Sequence, residues 1–116
     1  MSIVRIYTGT DNASHFEDIE LRLEARGDQS ESAELLPGTG ILVRRFEPRR
    51  ENPWHHAPGR YAVIALGGAV DIQIGGGTVR RIGRGDILIA EDLAGQGHST
   101  REVGPEPRVS VFVPLP

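Results

Sequence analysis

The chain has 116 residues, 38% hydrophobic and 25% charged, which is enough apolar material for one modest core and too much for a disordered chain. Its basic residues are 13 Arg and no Lys, against 16 Asp plus Glu, so a net charge of −3 gives no general attraction to nucleic acid or to anionic membranes. Cysteine is absent, which excludes disulfides, thiolate metal ligands and a cysteine nucleophile.

A single domain over residues 1–116 is expected. No apolar run approaches the length of about 18 residues that a membrane helix needs, and the opening MSIVRIY lacks the regions of a signal peptide, so the expected location is cytoplasmic. Period-two alternation recurs along the chain, whereas no window free of Gly and Pro carries a helical repeat; the fold class is all-β. Val4 to Tyr7 reads as the first strand. Phe16 to Leu23 reads as the second, half-buried, because Ile19, Leu21 and Leu23 alternate with Asp18, Glu20 and Arg22. Ala25 to Thr39 is a polar loop in which Ser32 to Leu36 could form a single helical turn. Gly40 to Glu47 is a strand ended by Pro48 and a solvated charge cluster, Arg49, Arg50 and Glu51.

Arg60 to Leu66, Ala69 to Ile74, Thr78 to Ile82 and Asp86 to Ala90 follow in quick succession. The Gly-rich separators at 67–68, 75–77 and 83–85 predict three successive hairpins. His98 to Val103 and Arg108 to Val113 complete the pattern, and about nine short strands of this kind make a barrel or a sandwich.

Three of the four His lie in two segments, His55 and His56 in PWHHAPGRY and His98 in GQGHSTR. On an extended chain His55 and Ala57 share a face and His56 looks the other way. By the same alternation Tyr61, Val63 and Ala65 share one face, and Ala62, Ile64 and Leu66 the other. Both faces are apolar, so the strand is expected to be covered on both sides, and a homodimer is the expected way to cover the outer one.

These residues resemble the two motifs of the cupin superfamily. HHAPGRYAVIALGG is similar to the first motif, with His55 on its first His, Ala57 on its second, Tyr61 on its Glu and Gly68 on its closing Gly. GDILIAEDLAGQGHSTR is similar to the second, opening on Gly85-Asp86 and ending on His98. SHFEDIELRL, from Ser14 to Leu23, also resembles small bacterial cupins. The resemblance implies a double-stranded β-helix, or jelly-roll, barrel. Two of the four positions that hold the metal in ordinary cupins are then Ala57 and Tyr61, neither a good ligand for a divalent ion. A metal at His55 and His98 remains an alternative only if His56, Glu91 or His15 supplies a third donor; the expectation is that no metal or other cofactor is held.

Other features have structural readings. Gly85-Asp86 is a turn in which Asp86 caps a backbone donor. His56 is solvated, His15 takes a local turn hydrogen bond, and Trp54 plugs one end of the barrel. Arg60 forms a surface ion pair with Glu91 or Asp92. The glycines 75–77 precede no helix and no Gly-x-Ser-x-Gly occurs, so neither a phosphate loop nor a serine hydrolase is indicated.

His55, Tyr61 and His98 are the candidate catalytic residues. The reading they support first is a small-molecule enzyme of the isomerase, epimerase, cyclase or lyase type, in which His55 or His98 is the general base and Tyr61 the acid facing the developing oxyanion. Metal-free cupins that isomerise or epimerise sugars use His with Tyr in this way, which is what the resemblance adds. The alternative is a cupin that binds or senses a small ligand without turnover. A metal-dependent dioxygenase is disfavoured by Ala57 and Tyr61.

Overall fold

The alternation read from the sequence becomes two sheets packed face to face. The computed structural model describes residues 1–116 and contains twelve strands: β1 (Ile3–Thr8), β2 (Ser14–Asp18), β3 (Glu24–Ala25), β4 (Glu31–Ser32), β5 (Leu42–Phe46), β6 (Glu51–His55), β7 (Tyr61–Gly67), β8 (Ala69–Gln73), β9 (Val79–Gly83), β10 (Ile87–Glu91), β11 (His98–Val103) and β12 (Arg108–Pro114). Six of them form one sheet in the order β2-β1-β10-β7-β12-β5, and four form the facing sheet in the order β6-β11-β8-β9. The two shortest, β3 and β4, pair only with each other.

Only one of the three expected hairpins is a hairpin. β8 pairs antiparallel with β9 across the turn at Gly75–Gly77, whereas β7 pairs with β10 and not with β8. The glycine pairs on either side of that hairpin are corners, where the chain crosses from one sheet to the other. Gly68 shows why: at φ +71 its Cα lies so close to β12 that an added Cβ would sit 2.7 Å from the Cα of Arg108. The result is a hairpin nested inside a wider one, the winding of a jelly roll. At the other corner Gly85 has φ 87, and the Asp86 carboxylate accepts hydrogen bonds from the backbone N–H of Gly83 (3.0 Å) and of Ser2 (2.8 Å). The Gly83 bond, with help from the Ser2 bond and the positive chain terminus, holds the Asp86 carboxyl below its ordinary value of 3.8.

Three other boundaries differ from expectation. The second strand stops at Asp18, so the alternation from Ile19 to Leu23 has no partner strand; Leu21 and Leu23 are exposed. Ser32 to Leu36 forms no helical turn. The segment from Glu51 to His55 is a strand despite Pro53, because β6 is an edge strand and a missing N–H is tolerated there.

Between the sheets lies one core. Val4 and Ile6 from β1, Val63 and Ala65 from β7, Val70 and Ile72 from β8, Ile82 from β9, and Leu88 and Ala90 from β10 are all buried in it. Complete burial of each larger aliphatic side chain stabilises the fold by about 1.5–3 kcal/mol. Tyr61 packs against the same cluster, so β7 faces inward through Tyr61, Val63 and Ala65. Its outward residues continue an apolar row that crosses five strands: Val43, Val111, Ile64, Ile87 and Ile3 lie side by side in register. No helix is long and apolar enough to cross a membrane.

Candidate functional site

A cavity of about 190 Å³ opens between the sheets, beside the core. His55, Tyr61 and His98 all line it, together with Arg44, Arg50 and Arg108, Asn52, Thr100, and an apolar floor that includes Ile72, Leu88 and Phe112. His55 and His98 are cross-strand neighbours on β6 and β11, with ring centroids 4.5 Å apart. The register shifts between His98 and Thr100, so that Asn52 opposes Thr100 while His55 opposes His98. Residues three apart on a regular strand face opposite ways; this bulge, at Pro53 and Trp54, turns both Asn52 and His55 inward.

The two imidazoles are held differently. The ring of His55 is engaged on both sides: Nδ1 donates to the Pro53 carbonyl at 2.7 Å, and Nε2 accepts from the Asn52 amide at 3.3 Å. His98 is buried, and its Nδ1 donates to Oδ2 of Asp92 at 2.5 Å, while its Nε2 bonds to no protein group. Asp92 is wholly buried. Its Oδ2 also accepts from the Ser14 hydroxyl at 2.7 Å, and its Oδ1 has no partner at all. The carboxylate therefore fixes the tautomer of His98 with the proton on Nδ1 and leaves Nε2 as an acceptor. Gly97 makes this possible: at φ +75 an added Cβ would come within 2.1 Å of the His55 carbonyl oxygen, so only glycine lets the loop before β11 pass so close to β6.

Tyr61 begins β7, its ring edge-on to Phe112 at 5.9 Å, and its hydroxyl makes no hydrogen bond to the protein. His56 is exposed and Ala57 buried, as alternation requires.

Several residues lie elsewhere than the sequence suggested. Asp92 is not a surface partner of Arg60, which pairs with Glu91 at 2.9 Å on the outside of the barrel. Trp54 does not plug the barrel: it is 46% exposed and borders an open groove of about 570 Å³ on the outer face of the four-stranded sheet. That groove is larger than the interior cavity, but it contains no imidazole. His15 makes the local hydrogen bond expected of it, its Nε2 donating to the Asp11 carboxylate at 2.8 Å. Arg50 is more than a solvated strand end; its guanidinium lies 5.4 Å from the Phe46 ring centroid at the cavity mouth.

Arg108 completes the inner wall. Its guanidinium donates to both oxygens of the buried Glu102, at 2.6 and 3.1 Å, and to the Ser110 hydroxyl at 3.0 Å, and it lies 3.9 Å from the Phe46 ring centroid. Each guanidinium nitrogen and each carboxylate oxygen of this pair has a hydrogen-bond partner.

The donor set does not suit a divalent metal of the kind cupins bind. No group of three His, Asp or Glu converges. Of the four motif positions only His55 and His98 carry nitrogen donors; both rings already use Nδ1, and His55 Nε2 is engaged as well. Glu91 faces outward to Arg5 and Arg60, and His56 and His15 are not among the cavity-lining residues.

An all-β barrel of two facing sheets with nested pairing is the double-stranded β-helix, the fold this chain shares with cupin domains. It aligns with an uncharacterised protein with a double-stranded β-helix domain from Klebsiella pneumoniae at 26% identity and TM-score 0.53, over 83% of each chain. It also aligns with the cupin domain of Cnp3 from Schizosaccharomyces pombe, at 17% identity and TM-score 0.53, over 99% of this chain and 88% of that one. A cupin domain from Bordetella pertussis gives 16% identity and TM-score 0.50, over 84% and 92%. No family model and no curated protein matches. These likenesses concern the fold, and fold alone assigns no activity.

Proposed function

We propose that the cavity is the active site of a metal-independent enzyme that moves a proton next to a carbonyl group, an isomerase, epimerase, cyclase or lyase. The observation that carries this reading is the Asp92–His98 pair, a buried carboxylate fixing one imidazole nitrogen so that the other faces the cavity as an acceptor. In the proposed step His98 Nε2 takes a proton from the substrate carbon, and the electron pair moves into the carbonyl. The resulting oxyanion accepts a hydrogen bond from the Tyr61 hydroxyl, and Asp92 balances the imidazolium. Return of the proton to a different carbon, or to the other face, completes an isomerisation. His98 rather than His55 is the base, because both nitrogens of His55 are already hydrogen-bonded.

The test is exchange of substrate C–H for solvent deuterium across a panel of small carbonyl compounds. The reading expects exchange that falls by about 10²–10⁴-fold in His98→Ala and by about 10²–10³-fold in Tyr61→Phe, the usual effects of removing a general base and an oxyanion donor. Ligands that bind and return unexchanged with the wild-type protein would instead make it a binding module.

We also propose that a second copy of the chain covers the apolar row on the six-stranded sheet. Val43 and Leu66 there are 61% and 51% exposed. A two-fold axis parallel to the strands would set the β5 end, which carries Arg45, over the β2 end, which carries Glu17, so the charges at the two ends complement each other. Light scattering at micromolar concentration expects twice the chain mass of 12.6 kDa for the native protein and a monomer for Ile64→Glu; a native monomer overturns the pairing.

A further inference from the structure

We propose that the cavity takes a small organic carboxylate, with the anionic group held by Arg44 and Arg50. Three guanidinium groups surround the Phe46 ring, those of Arg108, Arg44 and Arg50 at 3.9, 4.6 and 5.4 Å from its centroid. Only Arg108 has a carboxylate partner, Glu102. The guanidinium groups of Arg44 and Arg50 form no ion pair and no hydrogen bond to the protein, although the chain carries more acidic than basic residues overall. No Asp or Glu lines the cavity, so its walls present three arginines and two imidazoles with no facing carboxylate. Two like charges held against one ring, unneutralised, favour an anion from solution, and a planar fork suits a carboxylate.

Size and chemistry narrow the class further. A volume of 190 Å³ equals about six water molecules' share of the liquid, below the range of drug-sized sites. The floor of Ile72, Leu88 and Phe112 is apolar, which suits a short carbon chain. The inference rests on the acid–base reading above for what happens next to the carboxylate, but the anion site itself does not depend on it.

Calorimetric titration with three probes tests it: 2-oxobutanoate, its neutral amide, and inorganic phosphate. The acid is expected to bind at millimolar concentration or tighter, at least tenfold better than the amide and better than phosphate, and more weakly as salt rises. Arg44→Gln and Arg50→Gln are each expected to weaken it by roughly tenfold, the effect of losing one charge-assisted contact. Both side chains are exposed, so folding is not at stake. Equal affinity for acid and amide, no binding of any probe at millimolar concentration, an unchanged affinity in the double variant, or phosphate binding tighter than the acid each overturns the assignment. The two readings fail separately. Arginine-dependent binding of the acid without deuterium exchange would sink the acid–base step alone; exchange on the amide, unaffected by both arginine substitutions, would sink the carboxylate site alone.

Discussion

Two buried ion pairs, each joining residues six apart in sequence, face the same barrel interior and are built in opposite ways. In Arg108–Glu102 both carboxylate oxygens are bonded and the guanidinium also reaches Ser110. In His98–Asp92 one carboxylate oxygen carries both hydrogen bonds, the other has none, and the imidazole keeps a free nitrogen toward the cavity. In the Arg108–Glu102 pair the charges are matched and every nitrogen and oxygen has a partner, so it ties β11 to β12. An unsaturated pair costs stability, because an unpartnered buried oxygen lacks the bonds it would have in water. On the proposed function, the difference separates a pair that serves stability from one that serves the reaction.

The largest expected effect breaks the saturated pair. Glu102→Ala leaves the Arg108 charge buried without its partner and lowers stability by about 3–5 kcal/mol, read by chemical denaturation. Asp92→Asn is expected to cost less. It keeps the shape and leaves no buried charge without a partner, so stability falls by only about 1–3 kcal/mol. Its amide no longer fixes the His98 tautomer, and deuterium exchange on substrate drops by about 10²-fold or more. If Asp92→Asn proved as destabilising as Glu102→Ala while leaving exchange intact, the two pairs would be equivalent.

The smallest effect concerns a carboxylate outside the barrel interior. Asp86 has a lowered folded-state value, so the stability it contributes is fully present above its ordinary value of 3.8 and is lost as pH falls through the lowered one. Asp86→Asn is therefore expected to be less stable than wild type at neutral pH, and the gap should close as the medium is acidified below pH 4. A gap that persists in strong acid contradicts the assignment.

How much of this was legible in the sequence depended on whether partners were local. Tyr61 to Leu66 alternates cleanly, so its inner and outer faces could be read before the fold was known, and so could the opposed directions of His55 and His56. The β5 segment could not be read this way. Its inner residues Leu42, Arg44 and Phe46 and its outer residues Ile41, Val43 and Arg45 are equally apolar, so period two gives no face and Arg44 escaped notice, while Arg50, beyond the strand, reads as part of a solvated charge cluster. Asp92 was hidden for another reason. It follows Glu91 in a charged loop that reads as surface, and one of its two partners, Ser14, lies 78 residues away. The bulge at Pro53 brought in Asn52, which strict alternation sends outward. Strand order failed at the glycine corners, because glycine permits a tight hairpin and a sheet-to-sheet crossing alike.

The central claim is that Asp92 holds His98 with its proton on Nδ1 and its Nε2 free toward the cavity. Long-range nitrogen–proton correlation NMR of the ligand-free protein, with ring nitrogens labelled, reads this directly. The predicted spectrum shows neutral His98 as the Nδ1–H tautomer in wild type, with that pattern lost in Asp92→Asn; an Nε2–H tautomer in the wild-type protein would contradict the account.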